Sequence, residues 1–266
     1  MDLGVRGKSY VILGGSRGMG YETARLLAAE GAQLTLMSRT ESELTATARR
    51  LTDEFGVEVL AAPADAMTPG AVEKVVAASL ERFGPPRGML AASGLTYHNG
   101  TILEASDEDW EYNFQDVLMG TVRAARAVLP AMLEAGGGQI VTIGAYSARA
   151  AKSFLFPYAS LKAAITNFTK NVAKTYGGQG IRANCVCPGS FATVRVNAML
   201  DRLVEERGFD RAAAGRYLIA EEFKMPVAMG RPGQPNEAGE LIAFLLSERA
   251  GYLNGAIINI DGGTDF

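Results

Sequence analysis

Short apolar runs alternate along this chain with stretches whose apolar positions recur at helical spacing. The runs are SYVIL, QLTLM, VEVLA, RGMLAA, QIVTI, RANCVC and AIINI. Between them, residues 18–30, 41–55, 70–83, 107–135, 158–176 and 236–247 carry the helical pattern. Strands that alternate with helices predict crossover connections and a parallel sheet covered on both faces. The unbroken apolar character of YVIL and AIINI suits strands buried on both sides. We therefore expect an α/β fold, a single doubly wound domain over residues 1–266, with no internal repeat or linker.

One stretch breaks the rhythm. Residues 190–230 are longer than a connection needs and rich in large apolar residues, among them Phe191, Met199, Leu203, Tyr217 and Phe223. Charges alternate with these positions, which predicts one or two short helices. In open α/β sheets the loops at the carboxyl ends of the strands surround the ligand, so this insertion is expected to be a substrate lid.

Composition narrows the class. The 266 residues are 48% hydrophobic and 21% charged, ordinary for a globular protein, and the formal charge is -3. That balance argues against nucleic acid or an anionic membrane surface as partner. No run approaches the roughly 18 apolar residues a membrane helix needs, and the N-terminal run YVIL is too short for a signal-peptide core. A cytoplasmic location is expected. The two cysteines, Cys185 and Cys187, stand two apart on an expected strand and point to one face, a poor disulfide geometry, so both are expected to be buried structural thiols. With a single histidine, His98, far away in sequence, no metal site is expected.

The first strand runs directly into LGGSRGMG and then a helical segment. Gly14, Gly18 and Gly20 permit a tight turn and close approach of backbone to a pyrophosphate, which the open N–H groups and dipole of the helix N-terminus then face. Between a buried strand and an amphipathic helix, this is a dinucleotide-binding signal. The second strand ends in MSRTESEL, where a carboxylate that would bond a 2′-hydroxyl is missing until Glu41. Ser38, Arg39 and the Arg17 guanidinium of the glycine loop together describe a clamp for a 2′-phosphate, so the cofactor is expected to be NADP(H). Asp65, after the third strand, is placed to accept from an adenine amino group.

Tyr158 and Lys162 stand four residues apart in YASLK and share one helix face. A neighbouring ammonium favours a phenolate, so Tyr158 is expected to titrate nearer neutrality than a free tyrosine. A proton donor beside a nicotinamide is what carbonyl/alcohol interconversion requires.

Taken together, GGSRGMG, YASLK, NCVCPGSFAT and GRPGQPNEAGELIAFLLSERAGYLNGAIINIDGG resemble the classical short-chain dehydrogenase/reductase (SDR) family over essentially the full length. The resemblance implies a single Rossmann-like domain with a seven-stranded parallel sheet, assembled as a homotetramer or homodimer. It implies Tyr158 as acid/base and Lys162 on the nicotinamide ribose. Pro188, Gly189, Phe191 and Thr193 would contact the nicotinamide end, and Ser16, Met19, Ala66, Ser93 and Gly94 join the cofactor-binding positions.

The sequence also departs from the family pattern. Leu13 stands where the glycine motif normally begins with threonine, and AASG replaces an Asn-Asn-Ala-Gly motif. The substrate-orienting serine, thirteen positions before the tyrosine, is Ala145; the relay asparagine, three before Gly120, is Val117. Loss of one donor to a developing oxyanion typically costs ~10²–10³ in rate. Ser147, two residues beyond Ala145, lies on the same side if the strand continues extended, and is the expected replacement, with Tyr146 as the weaker candidate. Asn113 is one helical turn before Val117. His98 is a further candidate at the edge of the cleft.

The expected function is NADP(H)-dependent interconversion of a carbonyl and a secondary alcohol on a hydrophobic small molecule. A dehydratase or isomerase on the same fold, or a non-enzymatic NADP(H)-binding protein, are the alternatives. Retention of both Tyr158 and Lys162 argues against the last.

Overall fold

A computed structural model describes residues 2–92, 94, 100–225 and 227–264. Seven strands form one parallel sheet: β1 (Ser9–Leu13), β2 (Gln33–Ser38), β3 (Val59–Pro63), β4 (Gly88–Ala91), β5 (Gly138–Ile143), β6 (Ile181–Pro188) and β7 (Ile257–Ile260). Their order is β3-β2-β1-β4-β5-β6-β7, every pairing parallel. The expected strands and sheet are borne out, with ends displaced by one or two residues. Chain order reverses between β1 and β4, and in such sheets the ligand crevice opens at that switch point, beyond the carboxyl ends of the strands.

Period-two alternation feeds two cores. One strand face sends Tyr10, Ile12, Leu34, Leu36, Val141 and Val186 against α1 (Gly18–Ala29), α2 (Glu41–Phe55) and α9 (Pro235–Leu246). The opposite face sends Val11, Leu13, Met89, Ile140 and Ala183 against α3 (Ala71–Phe83), α5 (Gly120–Glu134) and α6 (Phe156–Tyr176). Closing layers this tightly demands small residues. A Cβ on Gly20 would lie 2.1 Å from the Gly14 carbonyl oxygen, so the first turn of α1 rests directly on the glycine loop.

The segment expected as one helix over 107–135 is interrupted. α4 (Asp107–Asn113) is joined to α5 by a π-helical turn, Phe114–Met119. Such wide turns shift the helical register locally and often accompany functional sites. α4 starts on a capping box in which Ser106 and Asp109 satisfy each other's backbone N–H groups.

The long segment after β6 folds as α7 (Val194–Arg207), capped by Thr193, and α8 (Arg211–Tyr217), capped by Asp210. Leu200, Leu203, Ala214 and Leu218 give this pair a small apolar cluster of its own, separate from the sheet cores. Among the described residues, no helix is long and apolar enough to cross a membrane, and no His/Cys/Asp/Glu cluster is able to hold a metal.

Candidate active site

The glycine loop leaves β1 with Gly14 and Gly18 at positive φ (78° and 60°), the conformations the turn requires. α1 begins at Gly18 with no side-chain cap and no acid in its first turn, so its leading N–H groups and positive dipole end face an incoming anion without a competitor. Arg17 and Arg39 are both exposed beside this loop, and the buried Ser38 Oγ has no hydrogen-bond partner. These features fit a phosphorylated dinucleotide. An acid does approach the loop, however: Ser16 Oγ donates to Glu43 at 3.4 Å, a contact sequence spacing did not reveal because Glu43 lies on the next helix.

Asp65 follows β3, and one of its carboxylate oxygens accepts from the Met67 N–H at 2.9 Å. The Ala66 carbonyl accepts from Arg123 at 2.8 Å, which fixes this corner to α5. Gly94 has φ 97°, and a Cβ there would meet Val117 and the Asp116 carbonyl at about 3.1–3.2 Å. Beyond β6, Pro188 is buried and Gly189 packs on Asp261, where a Cβ would come within 2.8 Å. Phe191 is buried, and Thr193 is engaged as the cap of α7. Ser93 and His98 lie outside the described residues.

Tyr158 sits in the first turn of α6, directly after Pro157 at the second helical position, and Lys162 lies one turn on. The Lys162 ammonium stands 5.5 Å from the centre of the Tyr158 ring. It is 1% exposed and donates to the Ile143 carbonyl at 2.8 Å, at the last residue of β5. Burial pulls Lys162 down to about 8, opposed by Cys185, Asp116 and Cys187. The expected lowering of Tyr158 does not occur in the chain alone. Part of the ring remains open, but the phenol lies deep enough that burial pushes it well above its ordinary value, with further upward contributions from Tyr146, Cys187 and Asp116. Desolvation disfavours the phenolate, and it dominates here.

Around this pair lies a small apolar patch of Val117, Leu161, Ile165, Cys185 and Cys187, with Leu118 and Tyr158 against it. The cysteines are buried and free, their sulfurs 4.0 Å apart. A Cβ on Gly144 would approach both sulfurs within 3 Å, so glycine is required behind them. Donation from Cys187 draws the Cys185 thiol below its ordinary value; the same bond and burial hold Cys187 protonated.

The positions that departed from the family pattern are equally specific. Ala145 is extended (φ -159°, ψ 155°) and buried. The strand does not continue: Tyr146–Ala148 make one 3₁₀ turn, so simple alternation does not carry Ser147 to the side of Ala145. Ser147 is 4% exposed and its Oγ has no hydrogen-bond partner, whereas Tyr146 is half-buried, acts on Tyr158, and has Lys152 5.6 Å from its ring centre. Val117 is wholly buried in the apolar patch. Asn113 is also buried, and its amide donates to the Asp109 carbonyl at 2.8 Å within its own helix. The group missed by counting positions is Asp116, 9% exposed in the π-helical turn, which acts on both Tyr158 and Lys162. It adjoins the counted position, and only the widened turn distinguishes it.

Comparison with known proteins places these features in one family. The family model described as Enoyl-(Acyl carrier protein) reductase matches residues 14–265. The short-chain dehydrogenase/reductase aba4 of Botryotinia fuckeliana is 32% identical over 260 residues, 96% of each chain. The L-sorbose reductase of Gluconobacter frateurii, solved in complex with NADPH and L-sorbose, is 34% identical, with a TM-score of 0.91 over 99% of this chain and 98% of that one. A short-chain oxidoreductase of Pseudomonas aeruginosa containing an atypical catalytic centre is 25% identical with a TM-score of 0.89, covering 96% of both chains. This chain belongs to the classical short-chain dehydrogenase/reductase family and is an oxidoreductase of the Rossmann-like fold.

Proposed function

We propose that the protein reduces a carbonyl to a secondary alcohol, or runs the reverse oxidation, with NADP(H) as cofactor. The observation that carries the reading is the Tyr158 phenol set over the buried Lys162 ammonium, one helical turn apart, near the carboxyl end of β5. The uncapped start of α1 would receive the pyrophosphate, Arg17, Ser38 and Arg39 the 2′-phosphate, and Asp65 the adenine. Gly14, Ser16, Met19, Ala66, Ser93 and Gly94 would line the rest of its path, and Pro188, Gly189, Phe191 and Thr193 its nicotinamide end. Bound there, NADPH would supply the hydride for the carbonyl carbon.

Tyr158 supplies the proton. Its raised pKa keeps the phenol protonated at neutral pH, ready to be donated as negative charge develops on the substrate oxygen. Lys162 stabilises the phenolate left behind and would hold the nicotinamide ribose. Ser147, a buried hydroxyl without a partner, is the proposed second donor to the substrate oxygen in place of the serine that Ala145 replaces. We take α7 and α8 as the substrate lid, since they carry a small apolar cluster after the nicotinamide-binding strand. The apolar character of this segment favours a hydrophobic substrate, while the related L-sorbose reductase makes polar ketoses the necessary counter-panel. The test is absorbance loss of NADPH with a panel of cyclic, aromatic and acyl ketones alongside ketoses. Turnover with at least one ketone is expected; product formation without net NADPH change would favour an isomerase or dehydratase.

A further inference from the structure

Two side chains of α2 hold the glycine loop at Ser16. This buried residue offers its carbonyl to Thr47 Oγ1 at 3.2 Å and donates its hydroxyl to the Glu43 carboxylate at 3.4 Å. Glu43 and Thr47 stand four apart and share one face of α2, and the packing of the buried Leu44, Ala48 and Leu51 fixes the helix beneath them. We propose that Glu43 is a cofactor-selectivity residue: its carboxylate, set on the glycine loop at Ser16, opposes the 2′-phosphate of NADPH and favours the 2′-hydroxyl of NADH. The proposal rests on the NADP(H) reading of Arg17, Ser38 and Arg39 and refines it.

The arginine clamp does not neutralise this acid. Among the described residues Glu43 makes no ion pair with Arg17 or Arg39, and its one hydrogen bond is to the neutral Ser16 hydroxyl. A phosphate monoester carries about −1.5 to −2 at neutral pH, and two guanidiniums match it. A carboxylate on the same loop returns one negative charge and repels the phosphate. A hydroxyl in the same place reverses the sign of the contact, because an ionised carboxylate accepts from it.

Sites for NAD place such an acid at the end of the second strand. Here that strand ends in Ser38, and the acid arrives instead from the following helix, with a printed contact to the loop. An acid in the first turn of α2 also suits the helix dipole, but Glu41 supplies that and is exposed, whereas Glu43 is half-buried against Ser16.

The test is equilibrium binding of NADPH and NADH to wild type and Glu43→Gln at low ionic strength, followed by nicotinamide fluorescence. Glutamine keeps the length and an oxygen for the Ser16 hydroxyl and removes the charge. The variant should bind NADPH about tenfold more tightly and NADH several-fold more weakly. The same opposite shifts should appear with 2′,5′-ADP and 5′-ADP, and the gain for NADPH should shrink at high salt. Unchanged affinities, or an equal change for both dinucleotides, overturn the proposal. A weaker NADPH complex overturns it too, since Glu43 would then serve the phosphate by ordering Ser16. Glu43→Ala replaces the variant should it fail to fold. If the wild type prefers NADH, the NADP(H) reading fails, while opposite shifts in Glu43→Gln still uphold the role of Glu43. If the wild type binds neither dinucleotide, both fall.

Discussion

Lys162 Nζ donates to the Ile143 carbonyl oxygen at 2.8 Å, a bond that joins α6 to the last residue of β5. The bond fixes the ammonium behind Tyr158, 5.5 Å from its ring centre. It also sets the electrostatic problem of the site. In the proposed mechanism a buried cation must stay charged to stabilise a phenolate, and the phenol in turn must give up a proton that burial makes it hold.

Tyr158→Phe removes the proposed proton donor and leaves the ring, the helix and the apolar patch in place. It should lower kcat by ~10²–10⁴, the usual contribution of a positioned acid. NADPH affinity and the melting temperature should change little. Stopped-flow reduction of one accepted ketone, with NADPH binding followed by fluorescence, separates the two; a loss of binding equal to the loss of rate would assign Tyr158 to the cofactor pocket instead.

Ser147→Ala should lower kcat by ~10²–10³ if its hydroxyl stabilises the developing oxyanion. Stability should rise slightly at the same time, because a buried hydroxyl without a partner is costly and alanine removes it. Tyr146→Phe, measured alongside, should cost less in kcat. The reverse ranking would transfer the role to Tyr146, which already acts on Tyr158.

The contrast between Ser147 and Tyr146 shows where sequence reasoning stopped. The seven strands were legible because burial on both faces forces unbroken apolar runs such as YVIL, and the glycine loop because its turn requires residues such as Gly14 and Gly18 at positive φ. Tyr158 and Lys162 were legible because helical spacing guarantees a shared face. Alternation failed at Ser147 because β5 ends at Ile143 and the chain enters a 3₁₀ turn at Tyr146. The π-helical turn between α4 and α5 was hidden as well, because no residue type announces such a turn. The rise in Tyr158 was equally hidden, since depth of burial is a tertiary quantity.

Arg39→Ala and Arg17→Ala should each weaken NADPH binding by about tenfold to a hundredfold, the worth of a charge-assisted hydrogen bond. NADH binding should be nearly unaffected, because it lacks the 2′-phosphate. The NADPH affinity of the wild type should fall with added salt more steeply than that of either variant, since both arginines are exposed. Equal losses for NADPH and NADH would place these guanidiniums on the pyrophosphate.

Lys162→Met should abolish most turnover while making the fold more stable near neutral pH. The folded chain holds Lys162 at about 8, below the 10.5 of a free lysine, because burial disfavours the ammonium. Between those values the unfolded chain binds more protons than the folded one, so the wild type gains stability as pH rises through that window. Below it, the full cost of the buried charge is present. Methionine removes that cost but leaves the Ile143 carbonyl without the lysine donor, which returns about 1–3 kcal/mol of it. The variant's excess stability should therefore be modest, on the order of 1 kcal/mol near pH 7, and should shrink as pH approaches about 10. Urea denaturation of both proteins across this range measures the difference directly. A gap that stays constant with pH would mean that Lys162 titrates alike in the folded and unfolded chains, and that Cys185, Asp116, Cys187 and the Ile143 carbonyl together fully offset its burial.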